Sequence, residues 1–236
     1  MTAPVAVVTG GTRGIGAAIA ARLAGDGYRV IAAARHAPRS GLPDSVSFVA
    51  CDVVDPRSVR ALFAPLDRVD ALVCCAGTAG ANRLDTQDDD AWHAIIASNL
   101  HGTYHCCKAA LPLLQEGTGR VVAIASVLGL RGVPDQTAYC AAKHGVVGFI
   151  RAMALILAPR GITANAVCPG WTDTEMAAHR FQELGITREQ AAAGLPTGRI
   201  VAPDEIAGTV AFLLGPSAAS ITGHALPVDG GGLAAP

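Results

Sequence analysis

The stretch VAVVTGGTRGIGAAIAARLAG, residues 5–25, runs an apolar β-branched segment into a glycine-rich turn and then into an Ala/Leu-rich segment of helical spacing. A strand that enters a helix through glycines leaves backbone N–H groups bare at the helix N-terminus, where the dipole is positive. Such an end accepts a pyrophosphate. Glycines 10, 11, 14 and 16 form T-G-x-x-x-G-x-G rather than G-x-G-x-x-G, and either string alone is weak evidence. Position carries the reading: the turn directly follows the first strand and opens the first helix, as a dinucleotide site requires. The alternative is a turn that needs glycine only for tight packing.

The same alternation continues along the chain. Apolar runs at 29–34, 46–51, 70–76, 120–125, 162–168 and 225–229 are separated by helical patterns at 56–64, 88–116, 139–158 and 203–214. Asp55-Pro56 and Pro203-Asp204-Glu205 are helix-start signals. Near-continuous apolar strands belong to a sheet covered on both faces. The expected fold is therefore α/β: a single-domain, Rossmann-type, doubly wound parallel sheet of seven strands over residues 1–236, with helices on both faces. Residues 35–45 hold two prolines and a glycine in about the minimum length of a parallel crossover, so no full helix is expected there.

Composition narrows the function. A net charge of -1 with no basic block points away from nucleic acid and from an anionic membrane surface. Seven cysteines with no C-x-x-C spacing argue against a disulfide framework and for a reducing, cytoplasmic setting. No leader pattern precedes residue 5, and the longest uncharged apolar run, VVAIASVLGL at 121–130, falls short of the roughly 20 residues that span a bilayer. A mean hydropathy of +0.38 implies that some apolar surface is buried between subunits. No metal-ligand spacing surrounds His93, His101, His105, His144 or His224, which read as structural.

Cofactor preference is written at the end of the second strand, where an acidic residue would bind a ribose hydroxyl. Ala34 stands there, followed by Arg35, and Arg13 lies inside the glycine turn. Two guanidiniums flanking a 2′-phosphate favour NADP(H) over NAD(H); the alternative is that both are solvated surface cations. Further on, TAYCAAKHG places Tyr139 and Lys143 four residues apart, on one helix face. Alone, that pair reads as a packed tyrosine beside a solvated lysine. Ser126, however, stands at the end of the 120–125 strand, where ligands of parallel sheets bind.

With these residues in view, the chain resembles the short-chain dehydrogenase/reductase family over nearly its full length. The resemblance rests on the glycine turn, CDV at 51–53, CCAG at 74–77, SNLHG at 98–102, Ser126, Tyr139, Lys143, CPG at 168–170 and ITGHALPVDGG at 221–231. It implies that Tyr139 is the acid/base, Ser126 orients the substrate oxygen, Lys143 holds the nicotinamide ribose and lowers the tyrosine pKa, and Asn99 completes a water-mediated proton path. A cation about 6 Å away at an effective dielectric of about 20 would favour tyrosinate by roughly 3 kcal/mol, about two pK units. Cofactor contacts are implied for Gly10, Thr12, Arg13, Gly14, Ile15, Gly16, Arg35, Asp52, Val53, Ala76, Gly77, Tyr139, Lys143, Pro169, Gly170, Thr172 and Thr174.

Substrate walls are expected from Val127, Leu128, Leu130, Val133 and Pro134, with Trp171, Met176 and a lid over residues 172–198. The resemblance is strongest to β-ketoacyl carrier-protein reductases and aromatic polyketide ketoreductases. Of two arginines that carrier-protein reductases use, Arg120 matches the first, and the second falls on Ala178, beside His179 and Arg180. Three functions follow: an NADPH-dependent reductase of a 3-oxoacyl thioester or cyclic ketone, an alcohol dehydrogenase working oxidatively, and a non-catalytic dinucleotide sensor. A homotetramer is implied, built on the helices near 88–116 and 139–158 and on the last strand.

Two departures stand out. Cys74-Cys75 replace the family's asparagine pair, which predicts a weaker hydrogen-bond network and small apolar filling. Strand neighbours point to opposite faces, so a vicinal redox pair is disfavoured. Ile156 stands where many relatives carry glutamate, making an interface there more apolar.

Overall fold

Alternation along the first strand sets the layering of the sheet. In the computed structural model, which describes residues 3–38, 42–85 and 89–235, Val5 and Val7 of β1 (Val5–Thr9) enter one apolar core. Ala6 and Val8 enter a second core on the opposite face. Neighbouring strands repeat this alternation, since a pleated strand turns successive side chains to opposite faces. The remaining strands are β2 (Arg29–Ala34), β3 (Val46–Ala50), β4 (Ala71–Cys74), β5 (Arg120–Ile124), β6 (Thr163–Pro169) and β7 (Ala225–Val228). They form one seven-stranded parallel sheet in the order β3-β2-β1-β4-β5-β6-β7. The doubly wound parallel sheet expected from the sequence is thus the observed one, with strand ends shifted by one or two residues.

The helices are α1 (Gly14–Gly25), α2 (Pro56–Phe63), α3 (Asp89–Ile96), α4 (Gly102–Ala110), α5 (Thr137–Leu157), α6 (Glu175–Leu184), α7 (Arg188–Ala193) and α8 (Pro203–Leu214). Ile19 and Leu23 of α1 meet Ile206, Val210 and Leu213 of α8 on one face of the sheet. Val59 and Phe63 of α2, Cys106 and Cys107 of α4, and Val146, Ile150 and Leu157 of α5 cover the other. Each large side chain buried this way contributes about 1.5–3 kcal/mol of transfer free energy. Local signals fix the helix starts: Asp55 Oδ1 accepts from Arg57 N at 2.8 Å, with Pro56 at the first helical position.

The pattern at 88–116 does not form one helix, and residue 88 lies outside the described residues. A π-helical turn, Ala97–His101, separates α3 from α4. Asn99 sits in that turn, and its amide Nδ2 donates to Ile95 O at 2.9 Å, a bond that competes with the backbone ladder. Between β2 and β3, residues 35–38 and 42–45 are non-helical, and 39–41 lie outside the described residues.

Helix α5 and the 3-10 turn after it, Thr137–Arg160, are long and apolar enough to cross a membrane, although Lys143 and Arg151 interrupt the uncharged run. Half of its most apolar stretch, 50%, is buried, with Ile150 and Leu157 committed to the core, as in the central helix of a globular protein.

The glycine turn is the tightest packing point. A Cβ on Gly16 would stand 2.1 Å from the Gly10 carbonyl oxygen, and backbone has no rotamer with which to yield. Gly16→Ala is expected to destabilise the fold by about 1–3 kcal/mol or more, read as a lower urea midpoint at unchanged m-value.

Candidate active site

The strand order reverses direction between β1 and β4, and in open parallel sheets the crevice beyond the carboxyl ends at that point receives the ligand. Gly10 follows β1 with φ of 69°, a left-handed conformation that favours glycine, and a Cβ there would lie 2.9 Å from Ala76 N. Thr9 Oγ1 accepts from Cys75 N at 3.1 Å and Ala76 N at 3.2 Å, tying the two strand ends together. No side chain caps α1, whose N-cap is Arg13, and its first turn holds no acidic residue. The bare amides and the positive dipole end face the same crevice as Gly10, Thr12, Gly14 and Ile15. A dinucleotide's pyrophosphate fits uncapped amides of this kind, and a larger residue at Gly10 would push against the Cys75 and Ala76 backbone that sets the turn's position.

The two arginines are both exposed. Arg13 lies 3.6 Å from Glu175 at the start of α6, with side chains 71% and 67% accessible. An exposed pair of this kind is worth at most about 1 kcal/mol, so a phosphate can displace it. Asp52 Oδ1 accepts from Val54 N at 3.0 Å. Val53 is buried against Gly102, where a Cβ would meet its Cγ2 at 2.6 Å, and its carbonyl lies 2.9 Å from His105 Nδ1.

On the far side of the crevice Ser126, Tyr139, Lys143 and Asn99 come together. Ser126 follows β5 and Tyr139 occupies the first turn of α5, with the serine hydroxyl near enough to act on the phenol's pKa. Ser126 Oγ also accepts from Leu128 N at 3.1 Å, which orients the hydroxyl so that its proton points elsewhere. Lys143 Nζ donates to Ile124 O at 2.8 Å and lies 5.5 Å from the Tyr139 ring centroid. Asn99 Nδ2 donates to Thr78 O at 2.7 Å, while its Oδ1 is buried with no protein partner. That oxygen would stand 2.4 Å from a Cβ on Gly77, whose own position is 3.8 Å from Lys143 Nζ. A buried orphan acceptor beside a buried amine is a place for a bridging water.

The electrostatics differ from what the spacing of Tyr139 and Lys143 implies. Burial pushes the Tyr139 phenol up to about 12, with the Ser126 hydrogen bond acting against it. Burial also pushes Lys143 down to about 8. Burial, not the lysine, sets the tyrosine: desolvation penalises both charged forms, and Lys143 is turned to the Ile124 carbonyl. Neutral tyrosine, a proton donor, is the form these surroundings favour at pH 7.

Pro169 ends β6, and Gly170 approaches β7 so closely that a Cβ would lie 2.7 Å from that of Asp229. Thr172 Oγ1 donates to Gly170 O at 3.1 Å, and Thr174 caps α6 by accepting from Ala177 N at 3.2 Å. Val127 and Leu128 form a 3-10 turn beside Ser126, and with Leu130 and Val133 they are half-buried, whereas Pro134 is exposed. Half-buried Trp171 packs on Phe181, ring centroids 4.9 Å apart, against a small core of Ala177, Phe181, Ala191 and Ile200. Met176 is exposed on α6. The helices α6 and α7 had no distinct sequence signal beyond Thr174 and Thr187, which cap them.

Cys74 enters the core below the sheet with its Sγ 3.9 Å from Cys107 Sγ, whereas Cys75 packs against the opposite face. Burial raises Cys75 to about 11, so it is a neutral thiol. Among the described residues, no group of three His, Cys, Asp or Glu could hold a metal ion.

The family described as Enoyl-(Acyl carrier protein) reductase matches residues 10–232. A Streptomyces coelicolor chain named as a ketoacyl reductase is 40% identical over 252 residues, covering 96% of each chain. The 3-oxoacyl-(acyl-carrier-protein) reductase of Haemophilus influenzae is 39% identical over 244 residues, covering 98% of each. The crystal structure of an actinorhodin polyketide ketoreductase variant with NADPH has a TM-score of 0.90 at 38% identity, covering 98% of this chain and 97% of that one.

Lys143 has a stability consequence with a definite sign. Its folded pKa of about 8 lies below the unfolded value of 10.5, so the buried charge costs stability fully below pH 8, and the cost fades as pH rises toward 10.5. Lys143→Met is expected to stabilise the protein by about 3 kcal/mol at pH 7 and by under about 1 kcal/mol at pH 10. Urea unfolding at the two pH values checks this.

Proposed function

Because the chain belongs to the short-chain dehydrogenase/reductase family of oxidoreductases, we propose that it reduces a ketone with NADPH, Tyr139 giving the proton. The observation that carries this reading is the half-buried, neutral Tyr139 phenol at the start of α5, with Lys143 Nζ 5.5 Å from its ring centroid and Ser126 at the end of β5. Gly10, Thr12, Gly14, Ile15 and Gly16 would hold the pyrophosphate, Asp52 and Val53 the adenine side, and Ala76, Gly77, Pro169, Gly170, Thr172 and Thr174 the rest. Arg13 and Arg35 would take the 2′-phosphate, with no carboxylate at Ala34 to oppose it. When bound, the reduced nicotinamide supplies a hydride to the carbonyl carbon.

The protein's own groups handle the oxygen. Ser126 accepts from Leu128 N, so its O–H is available to the substrate oxygen as negative charge develops there. Tyr139 transfers its phenolic proton to the same oxygen, giving the alcohol. The resulting tyrosinate recovers its proton from Lys143 through water held at Asn99 Oδ1. Oxidative use would require tyrosinate at the start, which burial disfavours.

The substrate reading follows from two arginines. Arg120 is buried, its Nη1 donating to Gly119 O at 2.8 Å, and Arg180 is held by Asp135 and Glu183. Neither is available to a carrier protein, which favours a free or coenzyme A-bound ketone facing Val127, Leu128 and Val133. Residues 1–236 act as one catalytic unit with 172–198 as the lid, working in the cytoplasm. Leu155 and Ile156, 78% and 64% exposed on α5, with Tyr104 on α4, are the apolar surface of a homotetramer.

Three measurements test these statements. Nicotinamide fluorescence is expected to show tighter binding of NADPH than of NADH, and Arg35→Ala to narrow the difference. Tyr139→Phe is expected to lower kcat by about 10²–10⁴-fold with NADPH affinity unchanged; an unaltered kcat would remove the phenol from the mechanism. Leu155→Glu combined with Ile156→Glu is expected to yield a smaller species in sedimentation velocity.

A further inference from the structure

Helix α5 carries Tyr139 in its first turn yet has no cap of its own: Gln136 precedes it without a side-chain hydrogen bond to the turn. Its N-terminus is held from elsewhere. Asn82, buried in the segment after β4, supplies one tie: its carbonyl accepts from Thr137 N at 3.1 Å, and its Oδ1 accepts from Thr137 Oγ1 at 2.8 Å. The other tie comes from the lid. Arg180 of α6 donates through Nη2 to Asp135 Oδ2 and through Nη1 to Glu183 Oε2 at 2.7 Å. Its side chain is only 11% accessible, against 25% and 24% for the two carboxylates. Glu183 Oε1 also lies 3.3 Å from His179 Nδ1.

Asp135 is four residues before Tyr139, and its carbonyl accepts from Asn82 N at 2.8 Å. The guanidinium therefore joins the lid helix to the loop that delivers the tyrosine. A buried charge held between two carboxylates allows few alternative geometries, since each displacement strands a desolvated charge. A planar guanidinium fixes direction as well as distance. Arg180, Asp135 and Asn82 make one strap across three segments remote in sequence, all meeting at the first turn of α5.

We infer that Arg180 is a positioning residue for Tyr139, latching lid helix α6 to the start of α5 so that lid seating and phenol placement are coupled. The inference rests on the ketoreductase reading for its kinetic signature, though not for its structural one. A loosened latch leaves the glycine cradle and the Lys143 ammonium in place, because they are held by β1, β4 and the Ile124 carbonyl, and Thr172 at the near end of the lid keeps its own ties to Gly170 and Val201. The loss therefore falls on turnover rather than on cofactor binding.

The test uses the full chain, with ethyl acetoacetate as ketone and NADPH as reductant. Arg180→Met is expected to lose about tenfold or more in kcat, as expected for a misplaced catalytic group, with the NADPH Kd changed by less than about twofold. Arg180→Lys, which keeps the charge but not the fork, is expected to recover part of that loss. Asp135→Asn is expected to match Arg180→Met, and the double variant to lose no more than either single one, because both break the same link. An unchanged kcat in folded Arg180→Met, additive losses, or a loss confined to NADPH affinity would overturn the latch. Should the wild-type chain reduce no ketone while binding NADPH, the activity reading falls, and limited proteolysis decides the latch. Faster cleavage within 172–198 in Arg180→Met supports it, and unchanged cleavage overturns it.

Discussion

At the carboxyl ends of β1 and β4 the chain packs backbone on backbone: Gly10 faces Ala76 N, Gly16 faces Gly10 O, and Thr9 Oγ1 bridges to Cys75 N and Ala76 N. The β1 and β4 side of the site is placed by that contact. It brings the bare N-terminus of α1 to the point where the strand order reverses, and it fixes Gly77 under the side chain of Asn99. Asn99 in turn breaks the helical pattern into α3 and α4 with a π turn, and π turns inside helices are frequent at functional sites. Helix regularity is given up locally so that one amide oxygen can stand, buried and without a protein partner, near Lys143.

Burial, rather than charge pairing, then sets the protonation states. Lys143 is costly to keep charged in a pocket where its bond goes to the Ile124 carbonyl, and Tyr139 is costly to ionise. The pair is unfavourable to stability and suited to chemistry, a combination typical of groups whose pKa values are moved by their site. The neutral phenol suits the reductive direction. The same low-dielectric surroundings hold Cys75 and Cys168 as neutral thiols, so the cysteines near the site act as small apolar filling rather than as nucleophiles. At the end of β4, Thr9 Oγ1 tethers the strand through the backbone amides of Cys75 and Ala76, donors that do not depend on the side chains at 75 and 76.

What the sequence determined by itself was whatever depends on local order and period. Strand alternation, the apolar faces of the helices, the glycine turn at 10–16, the Asp55 cap and the shared face of Tyr139 and Lys143 are all properties of neighbouring residues, set by pleat and helix geometry. Tertiary structure alone decided which distant groups meet. It turned Lys143 to Ile124 O, packed Trp171 on Phe181 of α6, buried Arg120, and closed Arg180 on Asp135. It also set the pKa of Tyr139, because desolvation depends on everything packed around a group, whereas spacing along a helix records only its neighbours on that helix.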